Sequence, residues 1–249
     1  MRVPVIAGNW KMYKTTEEAA SFVKAFLPLV AGIEGVEIVL APPFTAIATV
    51  VELTRGSNLR VSSQNVHFAE EGAYTGEISI RMLKDAGASH CIIGHSERRQ
   101  YYAETDDSIN RKNRAALAAG LTPIFCLGET LAQREAGGTF DVVEAQLLGG
   151  LKDISAAEGP KVIIAYEPVW AIGTGKTATP EQAQDVHAFL RNRLKRLWAE
   201  ASDSVRILYG GSVKPDNIAV LMAKDDIDGA LVGGAGLIAE SFAKIVKYK

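Results

Sequence analysis

A chain of 249 residues leaves room for one large domain or two small ones. Its 47% hydrophobic and 22% charged residues are ordinary for a globular chain, and a net charge of −2 argues against nucleic acid or an anionic membrane surface as the main partner. No apolar run approaches the ~18 residues of a membrane span, and the apolar core of residues 1–11 is too short for a signal peptide.

Val3 to Ala7 is the first short apolar run, and it ends at Gly8-Asn9-Trp10-Lys11. Thr15 and Glu18 read as a capping box, and Ala19, Phe22, Val23, Phe26, Leu27 and Val30 recur behind it at helical spacing. Val36 to Ala41 is the next strand, stopped by Pro42-Pro43, and Ile47, Val50 and Val51 continue with helical spacing. Leu59 to Ser63 ends at Gln64-Asn65, and a polar loop from Val66 to Gly76 precedes a short helix around Met82-Leu83. Cys91 to Ile93 ends at Gly94-His95-Ser96-Glu97-Arg98, and Leu121 to Leu127 ends at Gly128-Glu129-Thr130.

Val162 to Tyr166 leads to Glu167, a carboxylate just past a buried strand. Pro168 fixes its own φ and pushes Glu167 out of the helical region, so the carboxylate stands on a stiff stem. An apolar loop with a glycine-rich end follows, Val169 to Lys176, and Thr179-Pro180-Glu181-Gln182 has the signature of a helix start. Val205 to Tyr209 ends at Gly210-Gly211-Ser212, and Ala230 to Val232 ends at Gly233-Gly234.

Eight apolar strands alternate with helical segments, which implies a parallel sheet with helices packed outside it. The count and length match a closed (βα)8 barrel in a single domain spanning 1–249, with a doubly wound open sheet as the alternative. In a barrel all strand ends share one face, and that face carries the active site. Asn9, Lys11, Asn65, His95, Glu97, Glu129, Glu167, Ser212, Gly233 and Gly234 would converge there.

Rival motifs fail on particular residues. Gly175-Lys176-Thr177 lacks the earlier P-loop glycine, whose place is taken by Trp170. Gly94-His95-Ser96-Glu97-Arg98 ends in Arg where a nucleophile elbow needs Gly. Gly234-Ala235-Gly236-Leu237-Ile238-Ala239 fits a dinucleotide fingerprint, but no βαβ unit follows it; it still suits a phosphate. His90, Cys91 and His95 make no paired metal motif, since His90 and Cys91 face opposite sides of a strand. His67, His90 and His187 are expected to be structural or exposed, and Trp198 to pack with Val186, Leu190 and Leu197 at the core or its rim. Cys91 and Cys126 lie in separate strands, which suits small buried hydrophobes in a reducing cytoplasm better than a disulfide.

Taken together, Gly8-Asn9-Trp10-Lys11, Ile93 to Arg99, Tyr166 to Lys176, Tyr209 to Ser212 and Leu231 to Gly234 resemble the triosephosphate isomerase family, in the family's order. The resemblance implies a TIM barrel that interconverts dihydroxyacetone phosphate and glyceraldehyde 3-phosphate without metal or cofactor. Glu167 would shuttle the proton, with Lys11, Asn9 and a neutral His95 stabilising an enediolate and Glu97 holding Lys11. Asn9 and Lys11 would also bind substrate, and Gly173, Ser212, Gly233 and Gly234 would cradle its phosphate under a lid from Val169 to Lys176, hinged at Pro168 and Thr177. The loop around Thr75 would enter the partner of a homodimer. Gly236 departs from the family, which usually carries Ser there as a hydroxyl cap. The alternative function is a non-catalytic sugar-phosphate-binding barrel.

Overall fold

Local capping starts the helices where the sequence marks them. Thr15 accepts from the Glu18 N–H while Glu18 reaches back to the Thr15 N–H, and Thr179 and Gln182 do the same. Two further boxes, Thr105 with Ser108 and Thr130 with Gln133, lie where the sequence reading marked none. Each box satisfies N–H groups that a helix start leaves open.

The computed structural model describes residues 2–249; Met1, part of the stretch weighed above as a leader, lies outside the described residues. The strands are β1 Val5–Asn9, β2 Glu37–Ala41, β3 Leu59–Ser63, β4 His90–Ile93, β5 Thr122–Leu127, β6 Ile163–Tyr166, β7 Arg206–Tyr209 and β8 Gly229–Val232. The helices are α1 Thr16–Val30, α2 Ile47–Thr54, α3 Ile80–Asp85, α4 Ser96–Tyr101, α5 Asp106–Ala118, α6 Leu131–Glu135, α7 Thr139–Gly150, α8 Pro180–Trp198, α9 Ile218–Met222 and α10 Ala239–Val246. All strand pairs are parallel, and β8 pairs back onto β1, closing a barrel in the order β1 to β8. The open doubly wound alternative is thereby excluded.

Strand parity divides the core in two. Val5, Ala7, Val39, Ala41, Ile92, Ile124, Cys126, Ile163, Ala165, Leu208 and Leu231 form one buried cluster inside the barrel. The alternate residues, among them Ile6, Leu40, Ile93, Phe125, Ile164 and Val232, pack outward against the helices. Phe26 of α1 and Phe242 of α10 stack there with ring centroids 5.2 Å apart. On α8, Leu190, Leu194 and Trp198 are buried at four-residue spacing, whereas Leu197, expected among them, is 40% exposed. The first strand also runs Val5–Asn9 rather than Val3 to Ala7, because Pro4 has no N–H for the ladder and Asn9 pairs with Ala41.

Charges close the bottom of the barrel. The inward parity that ends in apolar residues begins with Glu37, His90 and Arg206. Glu37 accepts from His90 Nε2 at 3.1 Å and from Arg206 Nη1 at 2.6 Å. The hydrogen bond from His90, with both positive partners acting against burial, holds the Glu37 carboxyl down at about 2. Behind the sheet, burial lowers the His187 pKa to about 4, so this histidine is a neutral core residue. Both groups are depressed in the fold, so both contribute stability above their ordinary values and lose it as pH falls. The His187 window runs from 6.5 to about 4, and the Glu37 window from 4.5 to about 2. Glu37→Gln should cost about 2 kcal/mol at pH 7, because it takes the carboxylate partner from the part-buried Arg206 guanidinium. It should also flatten the loss of stability in the lower window, as read by denaturant unfolding at a series of pH values; an unchanged slope there would contradict this.

Candidate active site

The same parity that fills the barrel delivers its upper rim. Asn9 and Lys11 continue the inward series of Val5 and Ala7, Glu167 that of Ile163 and Ala165, and Gly233 that of Leu231. His95 is out of step with His90 and Ile92. It reaches the rim because Gly94, at φ +75, turns the chain through the left-handed region that favours glycine. A cleft of about 400 Å³ opens there, lined by Asn9, Lys11, His95, Glu167, Gly173, Ser212, Gly233 and Gly234 among others. Of the residues expected to converge here, Glu97 stands outside the cleft wall, behind Lys11, and Asn65 and Glu129 are buried outside it, held by other hydrogen bonds.

Glu167 is 2% exposed. His95 Nε2 donates to its Oε1 at 2.9 Å, and the Ser96 N–H donates to its Oε2 at 2.9 Å. Burial alone pushes the Glu167 carboxyl up, but the His95 ring, the Ser96 N–H and the Lys11 charge outweigh it and hold the carboxyl below its ordinary value. Glu167 is thus an ionised carboxylate kept out of water. His95 caps α4, and its Nδ1 accepts the Glu97 N–H at 3.2 Å. That nitrogen therefore carries no proton, and the hydrogen sits on Nε2, facing Glu167. Burial lowers the His95 pKa, and the Glu167 carboxylate more than reverses this. A ligand oxygen that replaced the carboxylate at Nε2 would remove the largest raising influence and leave burial and the Lys11 charge set against Glu97 alone.

Lys11 sits at φ +52, a strained position for a residue with a side chain. Its N–H donates to Asn9 Oδ1 at 3.0 Å, and its carbonyl accepts from Gln64 Nε2 at 2.8 Å. Glu97 Oε1 holds the ammonium at 2.5 Å. Beside Lys11, whose Cε would stand 3.5 Å from a Cβ on Gly233, that glycine precedes a tight turn, Gly234–Leu237, and the space a side chain at Gly234 would fill is open. Gly236 lies inside that turn and not at a cap, and a Cβ there would meet its neighbours at ordinary distances, the nearest Gly8 Cα at 3.4 Å.

The segment after Glu167 is buried at its base and free at its tip. Trp170 and Ala171 are buried, and Gly173 to Thr177 are exposed. Glu129, fully buried, accepts from Trp170 Nε1 at 2.8 Å and from the Tyr166 hydroxyl at 3.1 Å, with Arg134 at 3.1 Å. Sequence reasoning noted Glu129 and Gln64 only as polar strand ends and missed Gln146 altogether. A glutamine whose partners are backbone atoms distant in the chain leaves no signature in spacing. Among the described residues, no group of three or more His, Cys, Asp or Glu side chains could hold a metal ion, and no helix is long and apolar enough to cross a membrane.

A family model described as Triosephosphate isomerase matches residues 4–249. The chain belongs to the triosephosphate isomerase family. It is 58% identical over 249 residues to a triosephosphate isomerase of Geotalea uraniireducens, covering 100% of this chain and 99% of that one. Those of Trichlorobacter lovleyi and Citrifermentans bemidjiense are 56% and 57% identical, covering 100% of this chain and 100% and 99% of theirs. The family membership therefore extends over the whole barrel, both rims included.

Proposed function

We propose that this barrel, taken as one domain, interconverts dihydroxyacetone phosphate and D-glyceraldehyde 3-phosphate through an enediolate. The observation that carries the reading is the convergence of Glu167, His95, Lys11 and Asn9 on one cleft whose lining also includes Gly173, Ser212, Gly233 and Gly234. The charged and polar set suits the reacting carbons, and the glycines suit a phosphate.

Glu167 takes a proton from the carbon beside the carbonyl, and the bonding pair moves into the carbonyl to give the enediolate. His95 Nε2–H, the Asn9 amide and the Lys11 ammonium donate to the oxygen that gains charge. The neighbouring hydroxyl hydrogen crosses to that oxygen, and Glu167 returns its proton to the adjacent carbon. A positioned base contributes ~10²–10⁴-fold and each preorganised donor ~10²–10³-fold. Glu97 holds the Lys11 ammonium and takes no proton in this scheme.

Ser212, Gly233, Gly234 and, from the lid, Gly173 hold the phosphate. The lid swings about Pro168 and Thr177 and excludes water, which protects the enediolate from losing phosphate. To act, Glu167 leaves the His95 and Ser96 contacts and enters the cleft. The working form is a homodimer in which Thr75, exposed beside Tyr74, inserts into the partner. Large exposed side chains support this, with Met82 at 54% and Met12 at 93%. Two buried free thiols support a reducing cytoplasm as its location.

Glu167→Ala should keep the fold and inorganic-phosphate binding while turnover of glyceraldehyde 3-phosphate in a coupled assay falls by at least ~10²-fold. Near-normal turnover would reject Glu167 as the base, and phosphate binding without turnover in the unaltered chain would favour a sugar-phosphate sensor. Sedimentation should give twice the 26.7 kDa chain mass; a monomer at micromolar concentration would exclude the dimer.

A further inference from the structure

We infer that Gln146, on the outer helix α7 and outside the substrate cleft, is a positioning residue for both Glu167 and the base of the lid. The inference rests on the isomerase reading for its kinetic consequence, and its geometry is independent of that reading. The Gly128 N–H donates to Gln146 Oε1 at 2.8 Å, and Gln146 Nε2 donates to the Gly128 carbonyl at 3.2 Å. One side-chain amide thus takes both polar groups of one backbone residue, as a neighbouring strand would.

That residue sits in a critical place. Leu127, Gly128 and Glu129 form the end of β5 and the platform on which the Glu167 segment rests. The Glu167 N–H donates to the Leu127 carbonyl at 2.8 Å, and the Val169 N–H donates to the Glu129 carbonyl at 3.1 Å. Gly128 lies so close beneath Glu167 that a Cβ on it would stand 1.8 Å from the Glu167 carbonyl oxygen. The Glu129 carboxylate holds Tyr166 and Trp170, which bracket the base and start the lid. A shift of Gly128 therefore reaches the base through its backbone and the lid through Glu129.

Packing alone does not fix the platform. A second cavity of about 220 Å³ lies beside it, bordered by Gly128, Gln146, Gln133 and the far side of Glu167. With open space beside the turn, the two hydrogen bonds from Gln146 supply the restraint. Ser212, Gly233 and Gly234 stand on the loops after β7 and β8, separated from β5 by β6, so of the four phosphate contacts only Gly173, on the lid, depends on the clamp. Loss of the clamp should therefore disturb proton transfer more than the phosphate grip.

Gln146→Met keeps the length of the side chain and removes both polar atoms. Its kcat should fall about tenfold, short of the ~100-fold that a 1 Å misplacement costs, while inhibition by inorganic phosphate changes less than about twofold. Gln146→Glu keeps the acceptor for Gly128 N–H and regains a donor only when protonated, so its kcat relative to the unaltered enzyme should rise as pH falls. In Gln146→Met the amides of Glu167 and Val169 should also exchange with solvent faster, a readout that needs no turnover. A cooperatively folded Gln146→Met with kcat within twofold of normal and unchanged amide exchange would overturn the inference. So would parallel losses in kcat and phosphate binding, or a Gln146→Glu variant without acid recovery. An inactive unaltered chain would sink the isomerase reading instead, and the exchange rates would still decide the role of Gln146.

Discussion

A carboxylate buried to 2% exposure can remain ionised only if something answers its charge, and in this barrel the answer is the hydrogen bond from His95 Nε2 to Glu167. Desolvation alone would push the Glu167 carboxyl up toward its neutral form. The imidazole and the Ser96 N–H keep the charge on the carboxylate without the full neutralisation a guanidinium would bring. The N–H of Glu97 fixes the imidazole tautomer from behind. Lys11 is tied in turn to Glu97, so the three charged or polar groups facing the cleft are held as one set.

The two ends of the barrel treat charge differently. At the bottom, Glu37 is matched by His90 and Arg206, and its pKa near 2 reports a closed arrangement that serves stability. At the top, the same inward parity supplies Asn9, Lys11 and Glu167, whose hydrogen-bonding capacity is left facing a cleft. The opposition follows from topology. Strand starts and strand ends lie on opposite faces of a parallel barrel, and the longer loops that carry ligands follow the strand ends. The segment after Glu167 illustrates the division, with Trp170 locked to buried Glu129 at one end and an exposed tip at the other.

Much of this was legible in the sequence because parallel strands buried on both faces read as short apolar runs. The eight runs, their order and the polar residues at their ends could be listed before any coordinates. Boundaries were less legible. Asn9 belongs to β1 although it is polar, because ladder hydrogen bonds are indifferent to the side chain they carry. The burial of Leu194 in place of Leu197 turns on a few tens of degrees of helix rotation. His95 breaks strand parity, and only the left-handed Gly94 explains its reach. Glu129 and Gln146 were illegible for another reason: their roles lie in hydrogen bonds to groups 18 or more positions away, which no local pattern encodes.

The account rests on Glu167 exchanging its hold on His95 for the reacting carbons of a bound triose phosphate. The most direct measurement is a crystal structure with an enediolate-like analogue carrying a phosphate. The account predicts the phosphate at Ser212, Gly233 and Gly234, an analogue oxygen at His95 Nε2, and the Glu167 carboxylate turned into the cleft beside the analogue carbons. A fully occupied analogue with Glu167 still bound to His95 and Ser96 would contradict it.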